Sequence, residues 1–332
     1  MKKTAIVLGI FLLSVFSCKL NAQATFTVDN FSDEYFGKIH LDSKGFEEYS
    51  NFVSSNVGWV AIFDKKTNRQ LIRVDASGLH VSLHKGKALA NIEELPYGEQ
   101  SIIKYADYNF DGKKDFALMD GRDGCYGGSS FQIYLATDNG FEFSSEFSYL
   151  TKGNCYVSVD HANKQIHTGT KGSCCWHLDE TYVVENNLPV LIKSVESDSR
   201  NSSTMYVERS FVNGKIAVTK ISFDDEDDVF YSFEFSNKKK MRLLGKGGNL
   251  LYIFTDKDGT VELLTRDDAK FRYSKKENVL RFENGKTTYA ITADGIIVTT
   301  PGKKFDMKAV PATRKGSLAH ILENKFWNVS IE

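Results

Sequence analysis

The sequence has no basic tract interleaved with aromatic residues, which argues against a nucleic-acid partner. Its 42 lysines and arginines are balanced by 43 aspartates and glutamates, and the formal net charge is −1. It also has no G-x-S-x-G elbow and no H-E-x-x-H pair, two common motifs of hydrolases. Helical periodicity is scarce, and no period of roughly 20 to 50 residues repeats clearly. We therefore expect a mainly β protein that is not an enzyme.

The first 24 residues have the profile of a secretory signal. A basic start precedes an apolar run over about residues 5–16, and small residues lead to Ala24. Cleavage after Ala24 would release the mature chain, whereas residues 15–18 (VFSC) resemble a lipoprotein box that would leave Cys18 acylated. Both routes predict export to the periplasm, with or without a lipid anchor on the membrane.

Short strands and turns follow from Trp59 onward. The helix candidates are 43–53 and 316–327, and Asp-Gly pairs at 258–259 and 294–295 predict hairpin turns. The strand candidates, spaced as in an antiparallel meander, are 59–63, 69–74, 79–84, 116–119, 131–135, 181–184 and 188–192.

The polar stretch 194–204 predicts a domain boundary. It separates a first module, 25–196, from a second β-rich module, 205–332, whose role the sequence does not indicate. One continuous β domain with a surface loop at 194–204 is the alternative.

The most specific motif is the acidic stretch YADYNFDGKKDFALMDG, residues 105–121. It places oxygen-bearing side chains at loop positions 1, 3, 5 and 9, glycine at position 6 and a candidate backbone carbonyl at position 7, which is a calcium-loop layout. The bidentate glutamate of a full EF-hand is missing, and a solvated acidic turn is the alternative. The candidate calcium ligands are Asp107, Asn109, Asp111, the carbonyl of Lys113, and Asp115.

A glycine-rich loop follows in DGRDGCYGGSSF, residues 120–131, with Tyr126 near its apex. Glycines let such a loop protrude, and tyrosine is a common hot-spot residue in interfaces. An incidental aromatic residue on a long hairpin tip is the alternative.

Four cysteines remain after Cys18 is removed or acylated, and an even number in an exported chain predicts two disulfides. Because adjacent cysteines rarely pair, we expect Cys174 and Cys175 to bond to Cys125 and Cys155, in an order that cannot be deduced. That pairing would bring KGSCCWHLDETY, residues 171–182, to the glycine-rich loop. The candidate partner-binding residues are Tyr126, Gly127, Ser129, Trp176 and His177.

Four segments together resemble a family of periplasmic immunity proteins. They are VAIFDKKTNRQLIRV, YADYNFDGKKDFALMDG, GCYGGSSFQIYLA and LDETYVVENNLPVLI, in that order within residues 60–192. These immunity proteins are propeller-like, calcium-binding lipoproteins that inhibit lysozyme-like toxins of bacterial secretion systems, and their calcium loop is similar to those of integrin-type blades.

The resemblance implies a propeller-like first module and an inhibitor that occludes the active site of a lysozyme-like peptidoglycan hydrolase. Calcium would brace the scaffold, with Tyr126 and His177 at the inhibitory surface. Residues 205–332 have no counterpart in this resemblance. A surface module that binds a glycan or another ligand is the second interpretation, and an exported hydrolase is the third.

Overall fold

The computed structural model describes residues 24–42, 47–49, 52–92, 101–200, 203–265 and 268–332. Contacts group them into two compact units. Unit 1 contains the described residues of Met1–Glu94, Glu99–Tyr105 and Ala117–Gly121. Unit 2 contains those of Leu95–Gly98, Ala106–Phe116 and Arg122–Glu332.

Unit 1 is built on an antiparallel sheet with the order β1-β2-β4-β5-β6, in which β3 also pairs with β4. Its strands are β1 (Ala24–Val28), β2 (Tyr35–Leu41), β3 (Glu47–Tyr49), β4 (Phe52–Asp64), β5 (Gln70–His84) and β6 (Lys87–Ala88). In β5, Ile72 and Val74 are buried while Arg73 and Asp75 are exposed. This two-residue alternation packs one face of the sheet and leaves the other to water.

The acidic loop joins β7 (Ile103–Ala106) to β8 (Asp115–Gly121). These strands belong to a four-stranded sheet of order β10-β9-β8-β7, with β9 at Ser130–Thr137 and β10 at Gly140–Ser144. Residues 115–119 of β8 are all buried, as in a strand covered on both faces.

Unit 2 continues with the short helix α1 (Ser145–Tyr149) and a six-stranded meander whose spatial order follows the chain. Asn186–Asn187 and Asn213–Gly214 form two-residue turns with positive φ, the geometry that matches strand twist in hairpins. The strands are β11 (Tyr156–Asp160), β12 (Gln165–Gly172), β13 (Trp176–Glu185), β14 (Leu188–Asp198), β15 (Met205–Val212) and β16 (Lys215–Phe223).

Two further sheets complete unit 2, with the orders β20-β19-β18-β17-β26 and β25-β24-β23-β22-β21-β27. The strands of the first are β17 (Val229–Glu234), β18 (Lys240–Lys246), β19 (Asn249–Thr255), β20 (Val261–Leu264) and β26 (Lys315–Gly316). Those of the second are β21 (Phe271–Ser274), β22 (Val279–Asn284), β23 (Thr287–Thr292), β24 (Gly295–Thr300), β25 (Lys303–Lys308) and β27 (Val329–Ile331). The short helix α2 (Ile321–Asn324) precedes β27. An aromatic-rich core that includes Tyr252, Phe271 and Phe282 is shared by both sheets.

The predicted fold class is confirmed: the chain is mainly β, in antiparallel meanders, with a β-rich C-terminal part. The helix expected over 43–53 is wrong where the structure describes it, because β3 and the start of β4 occupy it and Val53 pairs with Val81 of β5. Ser43 lies outside the described residues. The helix expected over 316–327 is reduced to a 3₁₀ turn at Leu318–His320 and α2. The predicted boundary at 194–204 stays a prediction; residues 194–198 of that stretch belong to β14, which pairs with β15 in one sheet.

Candidate functional site

The acidic loop closes on its own backbone. Asp107 accepts hydrogen bonds from the amides of Asp111, at 3.2 Å, and Gly112, at 2.9 Å. Gly112 has a φ of +90°, so position 6 is the sharp turn that the sequence predicts, in a conformation that favours glycine.

Two contacts connect this loop to turns of the six-stranded meander. The buried Asn109 donates from Nδ2 to Asp111 Oδ2 and to Asn187 Oδ1, both at 3.2 Å, and Asn187 lies in the β13–β14 turn. Phe110 packs edge-on against His161, in the β11–β12 turn, with ring centroids 5.8 Å apart. The position of the loop is therefore coupled to two hairpins of the meander.

Asp115 is the buried carboxylate of the loop, with no exposed surface. Its Oδ2 accepts from the amide of Tyr108 at 2.7 Å, and its Oδ1 accepts from the amide of Ala136 at 2.8 Å. Burial raises the pKa of Asp115, these two hydrogen bonds lower it, and the charges of Asp107 and Asp111 raise it, so that the pKa is about 6. The environment of this carboxylate is therefore short of positive charge.

The donors of the loop fit calcium in kind: three carboxylates, one amide oxygen and one backbone carbonyl. The Lys113 ammonium pairs with Asp138 at 2.7 Å, so the carbonyl is the group that Lys113 would offer. Within the described ranges, no three His, Cys, Asp or Glu side chains form a metal-binding group. The donor chemistry suits a hard cation, while in this structure the side-chain oxygens of Asp107 and Asp115 accept hydrogen bonds from backbone amides of the loop and of β9.

Tyr126 lies in a turn that is closed on itself. The amides of Gly127 and Gly128 donate to the carbonyls of Gly124 and Cys125, and the amide of Gly124 donates back to Gly128. A Cβ on Gly124 would come within 2.8 Å of the Gly128 carbonyl oxygen, so a larger residue does not fit there. Tyr126 has a φ of +53° and is 68% exposed. The turn thus presents its aromatic side chain to solvent from a constrained backbone.

A disulfide between Cys125 and Cys155 fixes this turn to the segment after α1. The amide of Cys125 donates to the carbonyl of Asn154 at 3.0 Å, which brings the two cysteines together. The expected pairing with Cys174 and Cys175 is therefore wrong.

Cys174 and Cys175 bond to each other at the tip of the β12–β13 hairpin. Adjacent cysteines rarely pair, but here Gly172 pairs with Trp176 and leaves both cysteines in one tight turn. The predicted proximity of this segment to the glycine-rich loop is present nevertheless, since Tyr126 Oη donates to the carbonyl of Ser173 at 3.3 Å.

The other candidate partner-binding residues do not form one surface. Trp176 and His177 are successive residues of β13, so their side chains lie on opposite faces of the sheet. The Trp176 indole covers Gly172 and donates to Glu196 at 2.8 Å. Gly127 is exposed and Ser129 half-buried beside Tyr126. Sequence reasoning missed Ser173; its place beside the two cysteines at a hairpin tip was the available signal.

None of the helices described in the structure is long and apolar enough to cross a membrane. Residues 1–23 of the predicted signal, with Cys18 among them, lie outside the described residues.

No known protein-family model matches the chain, and no curated protein matches it. Among solved structures, a Xanthomonas type IV secretion system related protein is 22% identical over 60% of this chain and 94% of its own, with a TM-score of 0.47. Chaetomium thermophilum Sqt1 is 10% identical over 86% of both chains, with a TM-score of 0.24. A putative 6-phosphogluconolactonase from Bacteroides uniformis is 9% identical over 87% of this chain and 97% of its own, with a TM-score of 0.20. At these scores none of them supports an argument about function.

Proposed function

We propose that this protein is an exported, non-enzymatic inhibitor that occludes the active site of a lysozyme-like peptidoglycan hydrolase. The observation that carries the proposal is Tyr126: a large, exposed aromatic side chain on a positive-φ backbone, fixed by a disulfide on one side and by Ser173 on the other.

Such an arrangement is unfavourable for stability and favourable for binding. A non-glycine residue in this conformation costs about 1 kcal/mol or more, and an exposed aromatic ring contributes little to the core. In a binding surface the same constraints reduce the entropy lost on association, and tyrosine supplies a rigid apolar ring with a polar tip. A protruding ring of this kind suits the concave cleft of a glycan-cleaving enzyme.

The choice of a peptidoglycan hydrolase rests on the ordered motifs of residues 60–192, which resemble inhibitors of lysozyme-like toxins. The two disulfides suit an oxidising compartment, as the predicted signal requires. We place the mature protein in the periplasm, with Cys18 as the attachment point if the lipoprotein route is used.

We further propose that calcium is the cofactor, held by Asp107, Asn109, Asp111, the Lys113 carbonyl and Asp115. The cation would supply the positive charge that the buried Asp115 lacks. Through Asn187 and His161, an ordered acidic loop stabilises two hairpins of the meander that carries Ser173. Calcium therefore acts on Tyr126 indirectly, through the scaffold.

The decisive experiment is lysis of purified peptidoglycan by lysozyme-like hydrolases, with the mature protein titrated in at fixed calcium. We expect loss of lysis at a one-to-one ratio. Tyr126→Ala should weaken inhibition by about 30-fold or more, the size of a hot-spot residue, and leave the melting temperature nearly unchanged. Tyr149→Ala is the matched control, since Tyr149 is 73% exposed but lies on α1.

Equal potency of Tyr126→Ala and wild type would remove this loop from the mechanism. Binding of a saccharide without inhibition of any hydrolase would instead favour a glycan-binding module.

A further inference from the structure

The β12–β13 hairpin ends in a three-residue tip that contains the vicinal disulfide. Gly172 and Trp176 form its last pair, which leaves Ser173, Cys174 and Cys175 outside the ladder. Cys174 is exposed and Cys175 half-buried. Ser173 has a φ of +64°, a conformation that non-glycine residues rarely adopt.

The carbonyls on either side of this disulfide are both hydrogen-bonded. The Ser173 carbonyl accepts from Tyr126 Oη at 3.3 Å. The Cys175 carbonyl accepts from the amide of Ser199 at 2.8 Å and from its hydroxyl at 3.2 Å. The disulfide therefore lies between an anchor on the meander and the contact that positions the Tyr126 side chain.

A disulfide between adjacent residues closes a small ring that includes the peptide bond between them. Rotation about the backbone bonds in that ring is restricted, so fewer bonds can rotate between the Ser173 carbonyl and the Ser199 anchor. Opening the ring restores this rotation and lets Ser173 leave its strained conformation. The Tyr126 hydroxyl then loses a fixed acceptor.

We propose that Cys174–Cys175 is a site of thiol–disulfide exchange with dithiols, and that its reduction releases Tyr126 from Ser173. The release is a property of this chain alone. Its consequence for inhibition rests on the proposed function: the oxidised protein is the active inhibitor, and the reduced protein is a weaker one.

The dithiol supplies the electrons and protons that reduction of the protein disulfide consumes. Its thiolate attacks Cys174 Sγ, the exposed sulfur, the bond to Cys175 breaks, and Cys175 Sγ leaves with the electron pair and takes up a proton. The second thiol of the reagent then displaces Cys174 Sγ, closing a disulfide in the reagent and leaving two protein thiols. The dithiol gives up two electrons and two protons, which the protein disulfide receives.

The second disulfide provides the internal comparison. Cys125 and Cys155 are both half-buried, so access of a reagent to either sulfur is more restricted than access to Cys174. We therefore expect Cys174–Cys175 to be reduced first, at dithiol concentrations that leave Cys125–Cys155 intact.

The test is a titration with dithiothreitol, in which free thiols are alkylated and located by mass spectrometry. Amide hydrogen exchange of residues 124–128 is measured on the same samples with no partner present. We expect alkylation of Cys174 and Cys175 first, accompanied by roughly tenfold faster exchange at 124–128. Cys174→Ser with Cys175→Ser should reproduce that faster exchange without reductant.

Tyr126→Phe is the matched variant, because it removes only the hydroxyl that bonds to Ser173. Its exchange at 124–128 should be fast in the oxidised state and unaffected by reduction. Unchanged exchange in the reduced wild type, equal reduction of both disulfides, or a full response in Tyr126→Phe would each overturn the proposal.

The lysis assay separates this inference from the proposed function. Reduction should raise the inhibitor concentration needed for half-inhibition. If exchange responds to reduction while neither redox form inhibits any hydrolase, the thiol–disulfide site stands and the hydrolase-inhibitor function fails.

Discussion

Gly248 lies beneath the most exposed tryptophan of the chain's described part. Trp327 is 80% exposed, and its ring atoms lie 3.1 to 3.2 Å from where a Cβ on Gly248 would be. Gly259 has the same φ of +81° with nothing within 4 Å of its Cβ position. An alanine at position 259 would therefore introduce backbone strain alone, whereas an alanine at position 248 would add a steric contact with the Trp327 ring.

We predict that Gly259→Ala destabilises by about 1 kcal/mol, the backbone strain alone, and Gly248→Ala by about 2 kcal/mol. Urea denaturation of both variants checks this, with tryptophan fluorescence reporting any displacement of Trp327. Equal destabilisation by the two substitutions would show that the Trp327 indole moves away from the new Cβ without a cost in free energy.

Asp198 is a buried carboxylate whose charge is compensated. Burial raises its pKa, but hydrogen bonds from the Arg200 guanidinium and amide, and the charge of Lys246, bring the pKa below its ordinary value. A carboxyl with a lowered pKa stabilises the fold above about pH 4, and this contribution is lost as pH falls through the lowered pKa.

Asp198→Asn should therefore lower the free energy of unfolding at pH 7 by about 2 kcal/mol. The difference from wild type should shrink below pH 4. Urea midpoints measured between pH 2 and pH 7 test this, and a difference that persists undiminished at pH 2 would contradict the charge-based account.

Residue patterns predicted part of the site. The spacing of the acidic loop and the requirement for glycine at 112 are visible in the sequence, and the structure gives Gly112 a positive φ. The strand predicted over 181–184 stopped short of Trp176 and His177, so their placement on opposite faces of β13 was not predicted. The hydrogen bond between Ser173 and Tyr126 was not predicted, because it joins segments far apart in the chain; the position of Ser173 beside the two cysteines was the available signal.

At the scale of elements, the two disulfides differ in the length of chain that they enclose. Cys125 and Cys155 are 30 positions apart, whereas Cys174 and Cys175 are adjacent. In the chain-entropy model a disulfide stabilises by restricting the unfolded chain, and more so for a longer loop.

Replacing Cys125 and Cys155 together by serine should lower the free energy of unfolding by about 3–4 kcal/mol, and the same change at Cys174 and Cys175 by much less. Guanidinium denaturation of the two double variants compares them directly. A larger loss from the vicinal pair would mean that it stabilises the native tip itself.

Hairpin turns between neighbouring strands were predictable from the sequence, whereas the short strands that pair with distant segments were not. The Asp-Gly pair at 258–259 lies in the β19–β20 turn, as its sequence predicts, and the pair at 294–295 marks the β23–β24 hairpin, where Asp294 is in the turn and Gly295 begins β24. β26 and β27, in contrast, pair with β17 and β21, far back along the chain. Short polar segments such as Lys315–Gly316 carry no pattern that identifies a distant partner.

At the scale of the whole molecule, calcium would stabilise by binding the native state alone. A ligand at about 100 times its dissociation constant adds about 2.7 kcal/mol, roughly 5–10 °C in the melting temperature of a unit of this size. We predict such a rise for the wild type when chelator is replaced by calcium.

Asp111→Ala should abolish that rise, while Asp225→Ala, in another exposed acidic turn, should keep it. Differential scanning calorimetry with and without chelator makes the comparison. A calcium-independent melting temperature in the wild type would refute the proposed cofactor.

The two units are discontinuous in sequence, since residues 117–121 belong to one and 106–116 to the other. No composition change marks such a division. The mainly β class was predictable from short alternating runs, whereas the grouping of strands depends on long-range contacts.

The pairing of β26 and β27 with much earlier strands has a consequence for how the chain is made. Synthesis proceeds from the N-terminus, so β17 and β21 emerge well before their last partners. Until those partners arrive, two sheets keep an unpaired edge, which is where nascent β proteins associate wrongly. A chain cut short before β26 and β27 by the ribosome or a protease would keep both of these edges open.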